Sequence, residues 1–135
     1  MPLAAAPTRR IAIDVNGESV IFICRVPSAP ELSKFLNARF HTARNKVKSC
    51  VYEAREEFIN KIAIDVENAT YAGADGVEKP LGAATTLDDA EKAYWSGVQG
   101  VRVESWKDLI PLSWKSSAAQ RFEDSATVGD DDAKN

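Results

Sequence analysis

Apolar and polar positions alternate most cleanly over Arg10–Val26, RIAIDVNGESVIFICRV, on both sides of Asn16-Gly17. Those two residues readily take the positive φ angles of a two-residue type I′ turn, so the pattern predicts a β-hairpin. Such a turn sets Val15 opposite Glu18, Ile13 opposite Val20 and Ile11 opposite Phe22. It gathers Ile11, Ile13, Val15, Val20, Phe22 and Cys24 on one core-facing side. The other side carries Asp14 and Ser19, but also Ala12, Ile21 and Ile23. The second strand is thus apolar on both sides. It needs cover from another element or from a partner chain.

After Val26 the period becomes helical. Ser28 and Glu31 form the capping-box order Ser-x-x-Glu, with Pro30 tolerated in the first turn, and Leu32, Phe35, Leu36 and Phe40 make one apolar stripe. The basic run His41–Lys48 breaks that stripe and reads as a connection. A second helix is predicted over Ser49–Glu67. Its face holds Val51, Ala54, Phe58, Ile62 and Val66, and Glu57 and Lys61 form an i,i+4 pair outside. Asn68–Thr85, with three glycines and a proline, reads as a long irregular loop. A shorter helix follows from a Thr86 cap to about Gly97, with Leu87, Ala90, Tyr94 and Val98 on one side and Trp95 beside them. Gly97 and Gly100 end it, and Gly100–Glu104 alternates as a short third strand would. Ser105 and Asp108 cap a helical turn carrying Trp106, Leu109 and Ile110. Pro111 stops that turn, and Ser113 caps a last helix in which Trp114, Ala118 and Phe122 recur every fourth residue.

The elements define an α+β fold: an N-terminal β-hairpin with a third short strand, packed with about four α-helices in a single domain over residues 9–124. Met1–Thr8 and the acidic Ser125–Asn135 lack the apolar content to offset their ordering entropy, so both ends are expected to be disordered.

Charge removes several classes of function. The net charge is −3, and Asp130, Asp131 and Asp132 account for that much alone, so the folded part is near neutral. A nucleic-acid binder shows a basic stripe, and Arg9-Arg10 before a strand reads as a solvated pair. No window reaches the roughly 18 apolar residues of a membrane span, and no charged-then-apolar leader opens the chain, so a cytoplasmic protein is expected. Cys24 and Cys50 then read as free thiols.

Candidate chemistry is sparse. The one histidine, His41, could serve a Cys–His nucleophile with Cys24 or Cys50, but neither cysteine has a glycine elbow or a third orienting group. One His and two Cys match no zinc spacing, and the DDD run lacks the ligand spacing of a calcium loop. Gly73-Ala74-Asp75-Gly76 is a turn with no Gly-Lys-Ser/Thr to follow, and Asp88-Asp89 suit the first turn of a helix. No catalytic residue, metal ligand or cofactor is therefore expected, and the enzyme reading is set aside. Aromatic residues, by contrast, crowd the last third of the chain. The candidate protein-binding residues are Ile21, Ile23, Trp95, Trp106, Leu109, Ile110, Trp114 and Phe122.

Read together, the hairpin Ile11–Val26, the stretch Arg25-x-Pro27-x-x-x-Glu31-Leu32, the segment Trp106–Pro111 and the Lys115-bearing helix resemble the tail assembly chaperones of long-tailed bacteriophages. The resemblance covers most of Arg10–Phe122. It implies a non-enzymatic role in virion morphogenesis, for a phage or a prophage, in the bacterial host cytoplasm. The implied partners are the tape measure protein, which such proteins keep soluble, and the tail-tube protein, which they help recruit. Nucleic acid and membrane are not implied, and a homo-oligomer is left open. The rival readings are a structural tail or head–tail connector subunit and a small cysteine-dependent enzyme.

Overall fold

The computed structural model describes residues 7–43 and 46–134, the side chains of 41–48 and 126–134 excepted. The chain runs β1 (Thr8–Val15), β2 (Glu18–Arg25), α1 (Ala29–Ala38), β3 (Phe40–Ala43), β4 (Lys46–Ser49), α2 (Val51–Ile62) and β5 (Ala63–Glu67). It continues with β6 (Thr70–Ala72), β7 (Glu78–Pro80), α3 (Asp89–Gln99), a single turn α4 (Trp106–Leu109) and α5 (Leu112–Lys134).

β1 and β2 pair antiparallel in the register the turn dictates, with Ile11 opposite Phe22, Ile13 opposite Val20 and Val15 opposite Glu18. Asn16 at φ 54° and Gly17 at φ 86° supply the two positive angles of the type I′ turn. The third strand is β5 and not Gly100–Glu104. It joins β2 antiparallel to give the order β1-β2-β5, with Phe22 opposite Val66 and a bulge between Ile23 and Cys24. The predicted second helix therefore stops five residues early, at Ile62, and Ala63 turns to an extended conformation at ψ 127°. Ile-Ala-Ile-Asp-Val satisfies a helical stripe and a strand alternation equally well. The unpaired edge of β2 decides between them. β2 is thereby the central strand, paired along both edges, and its outer-face Ile21 and Ile23 lie between Arg10 of β1 and Glu67 of β5.

One layer of helices covers the inner face of this sheet. Ile11, Ile13, Val20, Phe22, Cys24, Ala63 and Val66 meet Phe35 of α1, Ala54, Phe58, Ile59 and Ile62 of α2, and Ala118, Ala119 and Phe122 of α5 in one buried cluster. Phe35 stacks on Phe58 at 4.2 Å between ring centroids, and Phe122 meets Phe58 edge-on at 5.2 Å. Fully buried Ala118 and Ala119 let α5 approach α2 closely. Glu123 of α5 takes Arg39, the C-cap of α1, and Arg55 of α2 as ion-pair partners, and Arg55 also donates to Ser116 Oγ at 2.9 Å. The α1 capping box forms as the sequence required, and Glu31 also holds Arg25 through both carboxylate oxygens.

Two connecting regions differ from their reading as loops. Of His41–Lys48, residues 44 and 45 lie outside the described residues, and the rest belong to β3 and β4, which pair antiparallel with Phe40 opposite Ser49 and Ala43 opposite Lys46. Asn68–Thr85 contains the β6–β7 hairpin, and Leu81 returns from it into the core. Gly82 then lies so close to β5 that a Cβ there would sit 2.7 Å from Asp65 Oδ1 and 3.2 Å from the Val66 carbonyl oxygen. Asp88, not Thr86, caps α3, and the helix runs through Gly97 to a left-handed Gly100. α5 begins at Leu112, directly after Pro111, ahead of the expected Ser113 cap. Its helix continues past the domain boundary placed at Asp124. Met1–Ala6, from the N-terminal end expected to be disordered, lie outside the described residues, while Thr8 belongs to β1.

Candidate protein-binding surface

The expected binding residues do not form one exposed patch. Leu109, Ile110 and Phe122 are buried in the core cluster, and Trp95, Trp106 and Trp114 pack against it half-exposed. Apolar periodicity marks which residues seek contact, but the same pattern serves a core and an interface. Ile21 and Ile23 are half-buried on the outer face of β2. There Arg10, opposite Ile23, reaches across the strand to Glu67, opposite Ile21, and closes a two-pronged ion pair at 2.6 and 2.9 Å.

A different element carries the exposed apolar surface. Among the described residues, the hydrogen bonds that fix α3 come from one side. Asp88 caps it by accepting the Glu91 N–H at 2.8 Å, and buried Glu91 accepts the Ala74 N–H and the Lys79 ammonium of the β6–β7 hairpin. Ser96 Oγ accepts the Val103 N–H at 2.9 Å and so ties the helix to the buried Val103. Leu87 and Trp95 complete this inner side. Positions 91, 95 and 96 therefore face the protein. Helical geometry then turns Ala90, Ala93, Tyr94, Gly97 and Val98 outward, and every one of them is exposed. Beyond the Gly100 cap, Val101 extends the series. Tyr94 is 45% exposed, Val98 58% and Val101 63%.

This strip is uncharged along its length. Apolar residues at i, i+3, i+4 and i+7 normally mark the buried side of a helix, and here they mark the side in water. Gly97, at the centre, has open space where a Cβ would stand: among the described residues, nothing beyond its chain neighbours and its own helix backbone lies within 4 Å. A mid-helix glycine costs about 1 kcal/mol relative to alanine. Among the described residues no contact offsets that cost, and the missing side chain leaves open space between Tyr94 and Val98. Trp95 lies under the strip, edge-on to Tyr94 at 5.6 Å, and its indole N–H is buried with no acceptor among the described residues.

The sequence sets Leu87, Ala90, Tyr94 and Val98 on one side; in the structure Leu87 packs against the core, while Ala90, Tyr94 and Val98 face solvent. The opposite side decides the orientation: Glu91 and Ser96 find hydrogen-bond partners in the β6–β7 hairpin and in Val103, both outside α3.

The reactive side chains are placed as follows. Cys24 is fully buried, and burial pushes its thiol up to about 11. Cys50 is half-buried just before α2, and the His41 side chain lies outside the described residues. Among the described residues there is no group of three or more His, Cys, Asp or Glu able to hold a metal ion. No helix among them is long and apolar enough to cross a membrane. A small cleft between α1 and α2 has Phe35, Ala38, Ala54 and Phe58 as its floor and Glu31, Lys34, Glu57 and Lys61 as its rim. No family model, no curated protein and no solved structure matches this chain.

Proposed function

We propose that this protein is a non-enzymatic tail assembly chaperone of a phage or prophage, acting in the host cytoplasm, and that it holds an apolar helical segment of the tape measure protein against α3. One observation carries the reading: the helix presents an uninterrupted uncharged strip, Ala90, Ala93, Tyr94, Gly97, Val98 and Val101, to solvent. A long apolar helix needs a matching apolar face, and the helix-in-groove mode uses this i, i+3, i+4, i+7 spacing. The near-neutral charge of the folded part favours such a client over nucleic acid. Recruitment of the tail-tube protein belongs to the same reading and would use a surface other than α3.

Co-expression tests this. The tape measure protein should stay in the soluble fraction with the native chain and precipitate with the Val98→Asp variant, whose folding is followed separately by its thermal transition. Equal solubility with both chains, or none with either, contradicts the reading. A permanent tail or head–tail connector subunit would instead remain in purified particles, from which a chaperone is absent.

A further inference from the structure

β1 is an outermost strand of the sheet. In a hairpin closed by a two-residue turn, Val15 and Glu18 exchange hydrogen bonds, so the odd-numbered residues of β1 bond to β2. The peptide groups of Thr8, Arg10, Ala12 and Asp14 then point to the free edge. Among the described residues no backbone group bonds to them. Their side chains are exposed, and the strand runs eight residues without proline or bulge. Such an edge is a template for another strand.

The order of side chains along this edge says which strand fits. When β1 meets a second β1 antiparallel, its edge residues can pair in several registers. Centred on Arg10, the register sets arginine against arginine. Centred on Ile11, it sets Arg10 against Ala12 and Thr8 against Asp14. Centred on Ala12, it sets Arg10 against Asp14 on both sides of the axis, with the small alanines meeting at the centre. Only that last register places opposite charges directly across the ladder, where such pairs stabilise. Asp14 forms no ion pair among the described residues. Arg10 uses Nη1 and Nη2 on Glu67 and keeps further N–H groups for a second carboxylate. Gln120, Arg121 and Asp124 of α5 stand beside Ile13 and Asp14 around an open cleft.

We propose that two copies of this chain pair along β1, antiparallel about a two-fold axis at Ala12, giving one continuous sheet ordered β5-β2-β1-β1-β2-β5. A single strand pair is a small interface, so the dimer is concentration-dependent, with a Kd on the order of 10–100 µM.

Sedimentation equilibrium of the full chain is the test. With rising concentration the mass should climb from the 14.7 kDa of one chain toward twice that value. Ala12→Pro removes an N–H that points away from β2 and leaves the β1–β2 ladder intact, so it should weaken association by about tenfold or more without changing the thermal transition. Asp14→Arg, which sets like charges across the axis, should do the same by a different route. Val98→Asp on α3 should leave the dimer unchanged. A native chain that stays monomeric to about 500 µM overturns the proposal. So does an Ala12→Pro or Asp14→Arg chain that dimerises as the native one does, or a Val98→Asp chain that cannot, because the copies would then meet elsewhere.

Discussion

Cys24 and Lys115 show how position sets the chemistry of a side chain. Cys24 faces inward from β2, opposite Ala63, and loss of water around the sulfur holds the thiol protonated, against the opposing pull of Arg9 and Lys107. Titration of the native protein with a disulfide reagent should therefore modify Cys50 alone, with Cys24 reacting only after denaturant is added. Fast reaction of both thiols in the folded state would contradict this placement. Lys115 is 4% exposed on α5, and its ammonium is held below the usual lysine range by burial, partly offset by Glu56 and Asp108. Replacing a buried charge with an apolar chain of similar length often stabilises, so Lys115→Met should raise stability by about 1–2 kcal/mol in denaturant unfolding. A loss of stability would mean that the charge has a partner worth more than its dehydration. The sequence located both residues on amphipathic elements, but a lysine on an amphipathic helix is normally read as solvent-facing. Its burial follows from how α5 is rotated, which the two alanines at 118 and 119 decide.

Among the elements, those built on strictly local rules were legible in advance. The Asn16-Gly17 turn fixed the β1–β2 register, and the Ser28/Glu31 box fixed the start of α1. Elements that depend on distant partners were not. Ala63–Glu67 becomes β5 because β2 offers an edge, and the β6–β7 hairpin is locked by Glu91 from seventeen residues beyond Ala74. The orientation of α3 follows from that lock, and so the exposed strip was not visible in the sequence even though its members were. Gly97 separates stability from binding at this strip. With open space at the Cβ position, Gly97→Ala should stabilise the protein by about 0.5–1 kcal/mol through helix propensity. The same methyl group fills that space, so client affinity should fall. A variant that binds as well as the native chain would show that the partner does not approach at this point.

For the molecule as a whole, ion pairs join elements that the core alone leaves adjustable. Hydrogen bonds from Arg25 hold Glu31 well below the usual carboxylate range, those from Arg10 lower Glu67, and the Val77 N–H lowers Asp75. Burial pushes Glu123 up, but Arg55 and Arg39 together outweigh it and leave it lowered. Each of these groups binds a proton less readily in the folded state than in the unfolded chain. Their contribution is therefore complete above the ordinary carboxylate value of about 4.5 and is lost as pH falls through the lowered folded values. The thermal transition should accordingly fall steeply below about pH 4 and lie flat between roughly pH 5 and 8. A transition unchanged at pH 3 would mean that these pairs add nothing to stability.

The central claim is that α3 offers its outer side to an apolar helix. Amide hydrogen exchange, measured on the full chain with and without a tape measure fragment, reads this most directly. Slowed exchange across residues 90–101, together with loss of that protection in the Val98→Asp variant, is the expected result. Exchange at α3 that stays the same while another surface becomes protected would contradict it.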